Sequence, residues 1–252
     1  WLANSGFPET KTLVIFILGT FVMRSAGCVM NDIADRNFDG KVKRTSNRPL
    51  ANGELSLWQA VITFVVLLTV AFILLLQLTI APIIVAAMGA IIAIAYPFCK
   101  RFMQAPQAIL GFAFSWGIPM AYLCSKMPIT HTTILLFVIN FLWILCYDTY
   151  YALVDRDDDL KIGIHSTAIL LGSHTKLMIG VLQIIIAGLW LLLAIINHFS
   201  YIFYIGWFVA HGFFVYQYVL TKDLTREKCF AAFLNNNWYG LTLFMTFFVM
   251  YF

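Results

Sequence analysis

An all-α polytopic membrane protein, a helical bundle of eight transmembrane helices around a central polar cavity, is the fold this sequence predicts. Three observations lead there. Hydrophobic residues fill 62% of the 252 positions and charged residues 11%, and the mean hydropathy is +0.86, far outside the range of a soluble domain of this length. Eight apolar runs approach the roughly 20 residues that cross a hydrocarbon core about 30 Å thick. Basic residues alternate between the joints that separate those runs.

The first run, 12–30, holds a single charge, Arg24, and leads into "NDIADRNFDG". The basic stretch "KVKRTSNRPL" separates it from the second, 56–78. Pro82 and Pro97 stand beside the third, 80–98, while Pro106 precedes and Pro128 follows the fourth, 107–124. Pro119, inside the fourth, predicts a kink, because proline lacks the amide hydrogen a helix interior needs. The fifth run, 132–151, continues into "DTYYALVDRDDDLK", and 177–197 and 201–220 follow. Asn235, Asn236 and Asn237 open the eighth, 230–252, and read as an N-cap, with a wall of the polar cavity as the alternative.

The joints 33–55, 99–106, 153–176 and 221–230 hold thirteen of the sixteen basic residues, whereas the alternate joints hold Lys11 and Lys126. This positive-inside pattern predicts that the four basic joints face the cytoplasm and both chain ends face out, as in a protein of a bacterial inner membrane. A net charge of +4 reflects topology and lipid headgroups, so a nucleic-acid partner is not expected. The chain reads as one domain over 1–252, and Trp1 opens it without an initiator methionine or a signal-peptide pattern. One preceding span is expected to be lacking. Neither the five cysteines nor the five histidines show ligand spacing, and all are read as packing or interfacial residues.

Eight of the twelve acidic residues gather in two patches. Asp32, Asp35 and Asp39 fall at i, i+3 and i+7, so a helix continuing from the first span puts them on one face; Asp148, Asp155 and Asp159 repeat the pattern at i, i+7 and i+11. The pair Asp35/Asp39 recurs as Asp155/Asp159, displaced by 120 residues, and lysines follow each, Lys41 and Lys43 in one case and Lys161 in the other. Two facing halves around one cavity are implied. Asp157 and Asp158 lie off the stripe and read as solvated helix-end acids. Carboxylates one turn apart suit Mg²⁺, which takes one or two of them and completes its shell with water and phosphate oxygens; zinc is disfavoured without histidine. Lys43, Arg44, Arg48, Lys100 and Arg101 lie on the same side, so the ligand is expected to be a metal-bridged diphosphate.

"NDIADRNFDGKVKRTSNRPL", "YPFCKR", "YDTYYALVDRDDDLKIGIHSTAILLG" and "LNNNWYGL" resemble the UbiA superfamily of intramembrane prenyltransferases almost end to end, and the second acid motif resembles its 4-hydroxybenzoate branch. The resemblance implies nine transmembrane helices in the complete protein, with Asp35, Asp39, Asp155 and Asp159 as metal ligands. It also implies that Asn31 and Asp32 open the first motif, and that Tyr96, Lys100 and Arg101 form a basic motif for diphosphate or aromatic acid. The implied substrates are a polyprenyl diphosphate and 4-hydroxybenzoate, prenylated ortho to its hydroxyl with Mg²⁺ as cofactor. No obligate protein partner is expected. Where relatives read lysine, this chain has His165. Asp148 is the candidate to bind the phenol or take a proton, with structural pairing to an arginine as the alternative. Arg24, two turns before Asn31, is expected to pair with a motif aspartate or an anionic substrate. Lys161 joins the candidate substrate contacts.

Two other classes fit the residues less well. "DGKVKR" shares the DG start of CDP-alcohol phosphotransferases, but their two downstream aspartates are missing after Gly53. A cation transporter would place acid pairs at mid-membrane, whereas these sit at span ends beside arginine and lysine. Within the superfamily, naphthoate and homogentisate are the alternative acceptors.

Overall fold

A computed structural model describes every residue, Trp1–Phe252. Ten α-helices and no strands make the fold. They are α1 (Thr10–Asp35), α2 (Leu57–Leu75), α3 (Ile80–Cys99), α4 (Pro106–Ser115), α5 (Gly117–Cys124), α6 (His131–Ile162), α7 (Thr167–Leu171), α8 (Thr175–Ile196), α9 (Tyr201–Leu220) and α10 (Arg226–Tyr251). Seven stretches are long and apolar enough to cross a membrane: α1, α2, α3, Pro106–Cys124, α6, Thr167–Ile196 and α9. The protein is therefore a multi-pass membrane protein. The 26 residues of α10 occupy the place of the eighth run. Its charged first turn and three asparagines leave it without an apolar stretch as long as those of the seven.

Most helices follow the apolar runs, and the departures have local causes. The fourth run is two helices broken at Trp116, three residues before Pro119. Proline at 119 cannot donate to the Ser115 carbonyl and its ring crowds it, so the helix stops there and restarts with Pro119 in the first turn, where no amide hydrogen is needed. Asn140 Nδ2 donates to Ser115 Oγ at 3.0 Å and ties α6 to the residue before the break. α10 starts at Arg226, nine residues before Asn235, with Thr225 as its N-cap, so the capping role expected of Asn235–Asn237 is not theirs. The first acid stripe is not one helix either. α1 ends at Asp35, and Asp39 opens a 3₁₀ turn. Asn37 and Gly40 are poor helix formers, and Thr45 Oγ1 donates to the Asp39 carbonyl at 2.9 Å, which holds the turn.

α6 is continuous over 32 residues, about 48 Å at 1.5 Å per residue, and so outruns a hydrocarbon core of about 30 Å. Its surplus carries the second acid stripe. It stops at Gly163, whose φ of 72° is left-handed backbone that glycine adopts without strain.

The apolar core lies in the second half, among α6, α8, α9 and α10, around Tyr150, Ile186, Leu193, Phe203 and Tyr239. Buried amides tie these helices: Gln183 Nε2 donates to Gln217 Oε1 at 3.3 Å, and Gln217 Nε2 to Asn235 Oδ1 at 2.9 Å. Such bonds, with small residues at close crossings, replace the hydrophobic drive that lipid removes. At Gly206 a Cβ would collide with the Thr246 side chain of α10. Gly206→Ala is expected to destabilise the protein by about 1–3 kcal/mol through overpacking. A thermal melt in detergent checks it, with Gly188→Ala, where a Cβ meets nothing, as the neutral control.

Candidate active site

Both acid patches meet at one end of the bundle. Asp35, in the last turn of α1, accepts from Lys100 Nζ at 3.1 Å, and the same ammonium donates to Asn31 Oδ1 at 3.2 Å. Arg48, from the loop after α1, reaches back to Asp32 at 2.8 Å and Asp39 at 3.0 Å with one nitrogen. Opposite them, Arg44 of the same loop forks onto Asp155 of α6: Nε lies 3.1 and 3.2 Å from its two oxygens and Nη2 2.6 Å from Oδ2. One loop thus carries cations to both patches. Asp35, Asp39 and Asp155 are buried. Burial pushes the Asp39 carboxyl above its ordinary value, against the pull of Arg48.

Asp159 and Asp148 make no ion pair, yet both sit in the field of Lys100 and Arg44. Lys100 stands over the Tyr96 ring, 5.6 Å from its centroid. The loop after α6 is clipped to this lysine, because the His165 amide donates to the Lys100 carbonyl at 3.0 Å. His165 Nδ1 itself is buried without a partner.

Other expected contacts fall elsewhere. Arg101 donates to the Ala34 carbonyl, with its guanidinium 5.5 Å from the rings of both Phe38 and Phe98, so it staples the end of α1. Lys43 is exposed and makes no side-chain contact with the acids. Lys161 is 75% exposed and leans on Asp158 at 3.7 Å, pointing away from the stripe. Lys161→Ala is accordingly expected to change turnover by less than about 3-fold, as befits an exposed ion pair, and steady-state kinetics in membranes check it. Asp158 is not a free solvated acid, since Arg226 binds it at 3.2 Å and ties α10 to α6. Asp157 is exposed, as expected.

Arg24 pairs with no motif aspartate. It lines a cavity of about 480 Å³ together with Asn140, Trp143, Tyr147, Asn236 and Asn237. Asn236 Oδ1 accepts from Trp143 Nε1 at 2.9 Å, which fixes that wall. Tyr147 lines the cavity and its chain neighbour Asp148 belongs to the acid cluster, so the two regions adjoin.

Two residues escaped sequence reasoning. The Tyr151 ring lies under the Arg44 guanidinium at 4.5 Å. Buried Gln107 accepts from the Thr167 amide at 2.9 Å and so joins α4 to α7. A glutamine opening an apolar run was a legible signal for the second; nothing in local spacing marked the first.

No three acidic, histidine or cysteine side chains stand close enough to hold a metal ion unaided. The donor chemistry still fits Mg²⁺, because every candidate ligand is a carboxylate or amide oxygen, and Mg²⁺ commonly takes few protein ligands and leaves the rest to water and phosphate.

The UbiA prenyltransferase family model matches residues 1–248. A 4-hydroxybenzoate octaprenyltransferase of Aliivibrio fischeri strain MJ11 is 50% identical over 245 residues, 97% of this chain and 85% of that protein. One from Legionella pneumophila strain Paris is 49% identical over 243 residues, 96% of this chain and 86% of that protein. Among solved structures, the apo UbiA homologue of Aeropyrum pernix K1 has the same fold, with TM-score 0.86 at 19% identity over 98% of this chain and 92% of that one. An Archaeoglobus fulgidus UbiA homologue, bound to GPP and Mg²⁺, has TM-score 0.68 at 15% identity over 95% of this chain and 88% of that one. With its acid patches joined at one end of such a bundle and residues 1–248 matched by the family model, this chain belongs to the UbiA prenyltransferase family.

Proposed function

We propose that the protein transfers a polyprenyl group from polyprenyl diphosphate to the ring of 4-hydroxybenzoate, ortho to the hydroxyl, with release of diphosphate, as the names of its half-identical relatives suggest. The carrying observation is the convergence of Asp35 with Lys100 and Asp155 with Arg44 in one mouth. Acids and cations brought together there suit a metal-bridged diphosphate better than a passing ion. In this reading the mouth faces the cytoplasm of a bacterial inner membrane.

Asp35, Asp39, Asp155 and Asp159 would hold Mg²⁺, with Asn31 and Asp32 beside them. Bound there, Mg²⁺ would neutralise the diphosphate and make it a better leaving group. Lys100, Arg44 and Arg48 bind its remaining oxygens and keep the headgroup at the mouth while the isoprenoid tail lies along the apolar helices. In the neighbouring cavity Arg24 binds the carboxylate of the acceptor, and Trp143 and Tyr147 flank its ring. The allylic C–O bond breaks with its electron pair leaving on the diphosphate, and the ring carbon ortho to the hydroxyl forms the new C–C bond. The ring then loses the proton from that carbon. Asp148, between the cavity and the cluster, hydrogen-bonds the phenol and is the nearest carboxylate to receive it.

Product analysis by mass spectrometry tests this, using membranes that contain the protein, Mg²⁺, mixed polyprenyl diphosphates and 4-hydroxybenzoate beside naphthoate and homogentisate acceptors. Prenylated 4-hydroxybenzoate is the expected product. Exclusive labelling of another acceptor would reassign the substrate, and ion flux without diphosphate release would overturn the reaction itself.

A further inference from the structure

Arg44 is held twice. Its guanidinium forks onto both oxygens of Asp155, and it also stands over the Tyr151 ring, 4.5 Å from the centroid. Tyr151 precedes Asp155 by one helical turn on α6, so both holds face the same loop. The tyrosine ring is itself braced, packing 4.7 Å from Phe233 of α10.

The two holds respond differently to a ligand. A carboxylate that accepts from a guanidinium at both oxygens has fewer lone pairs to offer a metal ion. A diphosphate that draws Arg44 off Asp155 leaves that carboxylate free for the metal. A cation released beside phosphate oxygens has a new partner of matching fork geometry. The aromatic hold involves no carboxylate, so it persists through that exchange.

We propose that Tyr151 is a positioning residue, the seat on which the Arg44 guanidinium turns from Asp155 to the oxygens of the diphosphate. This deepens the function proposed above and rests on it. In the resting protein Tyr151 keeps the guanidinium in the mouth, on a loop that would otherwise let a long side chain wander into water. In the loaded protein it fixes the direction from which Arg44 meets the anion. The energy at stake is that of one partly desolvated cation–π contact.

The test is calorimetric titration of the purified full protein with inorganic diphosphate at saturating Mg²⁺, alongside Mn²⁺ binding followed by electron paramagnetic resonance without diphosphate. Tyr151→Leu and Tyr151→Gln are expected to bind diphosphate roughly 3- to 30-fold more weakly, with Mn²⁺ binding unchanged. Tyr151→Phe, which keeps the ring, is expected to bind within about 2-fold of the natural protein. In turnover the loss should appear as a raised KM for polyprenyl diphosphate with kcat nearly constant. Arg44→Gln removes the cation and so reads the same contact from the loop side, and adding Tyr151→Leu to it should cost no further affinity. If both ringless variants bind like the natural protein, if Tyr151→Phe is as weak as Tyr151→Leu, or if the double variant is additive, the seat is refuted. Failure of the natural protein to bind magnesium diphosphate would instead bring down the functional reading beneath it.

Discussion

Asp35→Ala and Asp155→Ala, each made alone, are expected to lower prenyl transfer by about 10²- to 10³-fold while leaving the protein inserted and folded. The two changes strike opposite sides of the mouth. Asp155→Ala removes a proposed metal oxygen from α6 and frees Arg44, and Asp35→Ala does the same on α1, leaving Lys100 with Asn31 alone. Folding should survive because the apolar core lies among α6, α8, α9 and α10, and the freed cations can reach water. Their side chains are already 28% and 22% exposed. Asp157→Asn, at an exposed position outside the cluster, is the control for nonspecific charge effects. The check is turnover in membranes combined with size-exclusion profiles of the solubilised variants. Retained turnover in either alanine variant would overturn the assignment of that carboxylate to the metal.

Arg24→Ala is expected to raise KM for 4-hydroxybenzoate by about 10- to 100-fold, the worth of one charge-assisted hydrogen bond in a sheltered site, and to leave KM for the diphosphate within about 2-fold. The separation follows from location. Arg24 lines the cavity with Trp143 and Tyr147, and no acid neutralises it, whereas the diphosphate contacts come from Arg44, Arg48 and Lys100. Arg24→Lys should recover only part of the loss, since an ammonium cannot make the forked contact. Steady-state kinetics varying each substrate in turn decide it. Equal rises in both KM values would place Arg24 with the diphosphate instead.

Much of this architecture was legible from short-range pattern. Apolar runs marked the helices because lipid demands uninterrupted apolar length, and the i, i+7, i+11 spacing of Asp148, Asp155 and Asp159 held because α6 is a single helix. The first patch resisted the same logic. Asp39 leaves α1, and what returns it to Asp32 is Arg48, whose one nitrogen joins them. A periodicity argument has no access to that kind of tertiary bridge. Pro119 predicted a kink within one helix, whereas the helix breaks at Trp116, since the vacated hydrogen bond belongs to Ser115, one turn upstream. The seat under Arg44 spans 107 positions of sequence from Tyr151, and no local rule connects them.

The unbroken length of α6 has a consequence for the lipid around it. A rod with no hinge between its first turn at His131 and its acidic end at Asp159 keeps a constant depth interval between the two, so a change in acyl-chain length must shift one end or tilt the whole rod. In a thicker bilayer the carboxylates are drawn toward oil, and in a thinner one the aromatic chamber is lifted toward the headgroups. Turnover of the proposed reaction is therefore expected to depend on bilayer thickness, which vesicles of defined acyl-chain length would read.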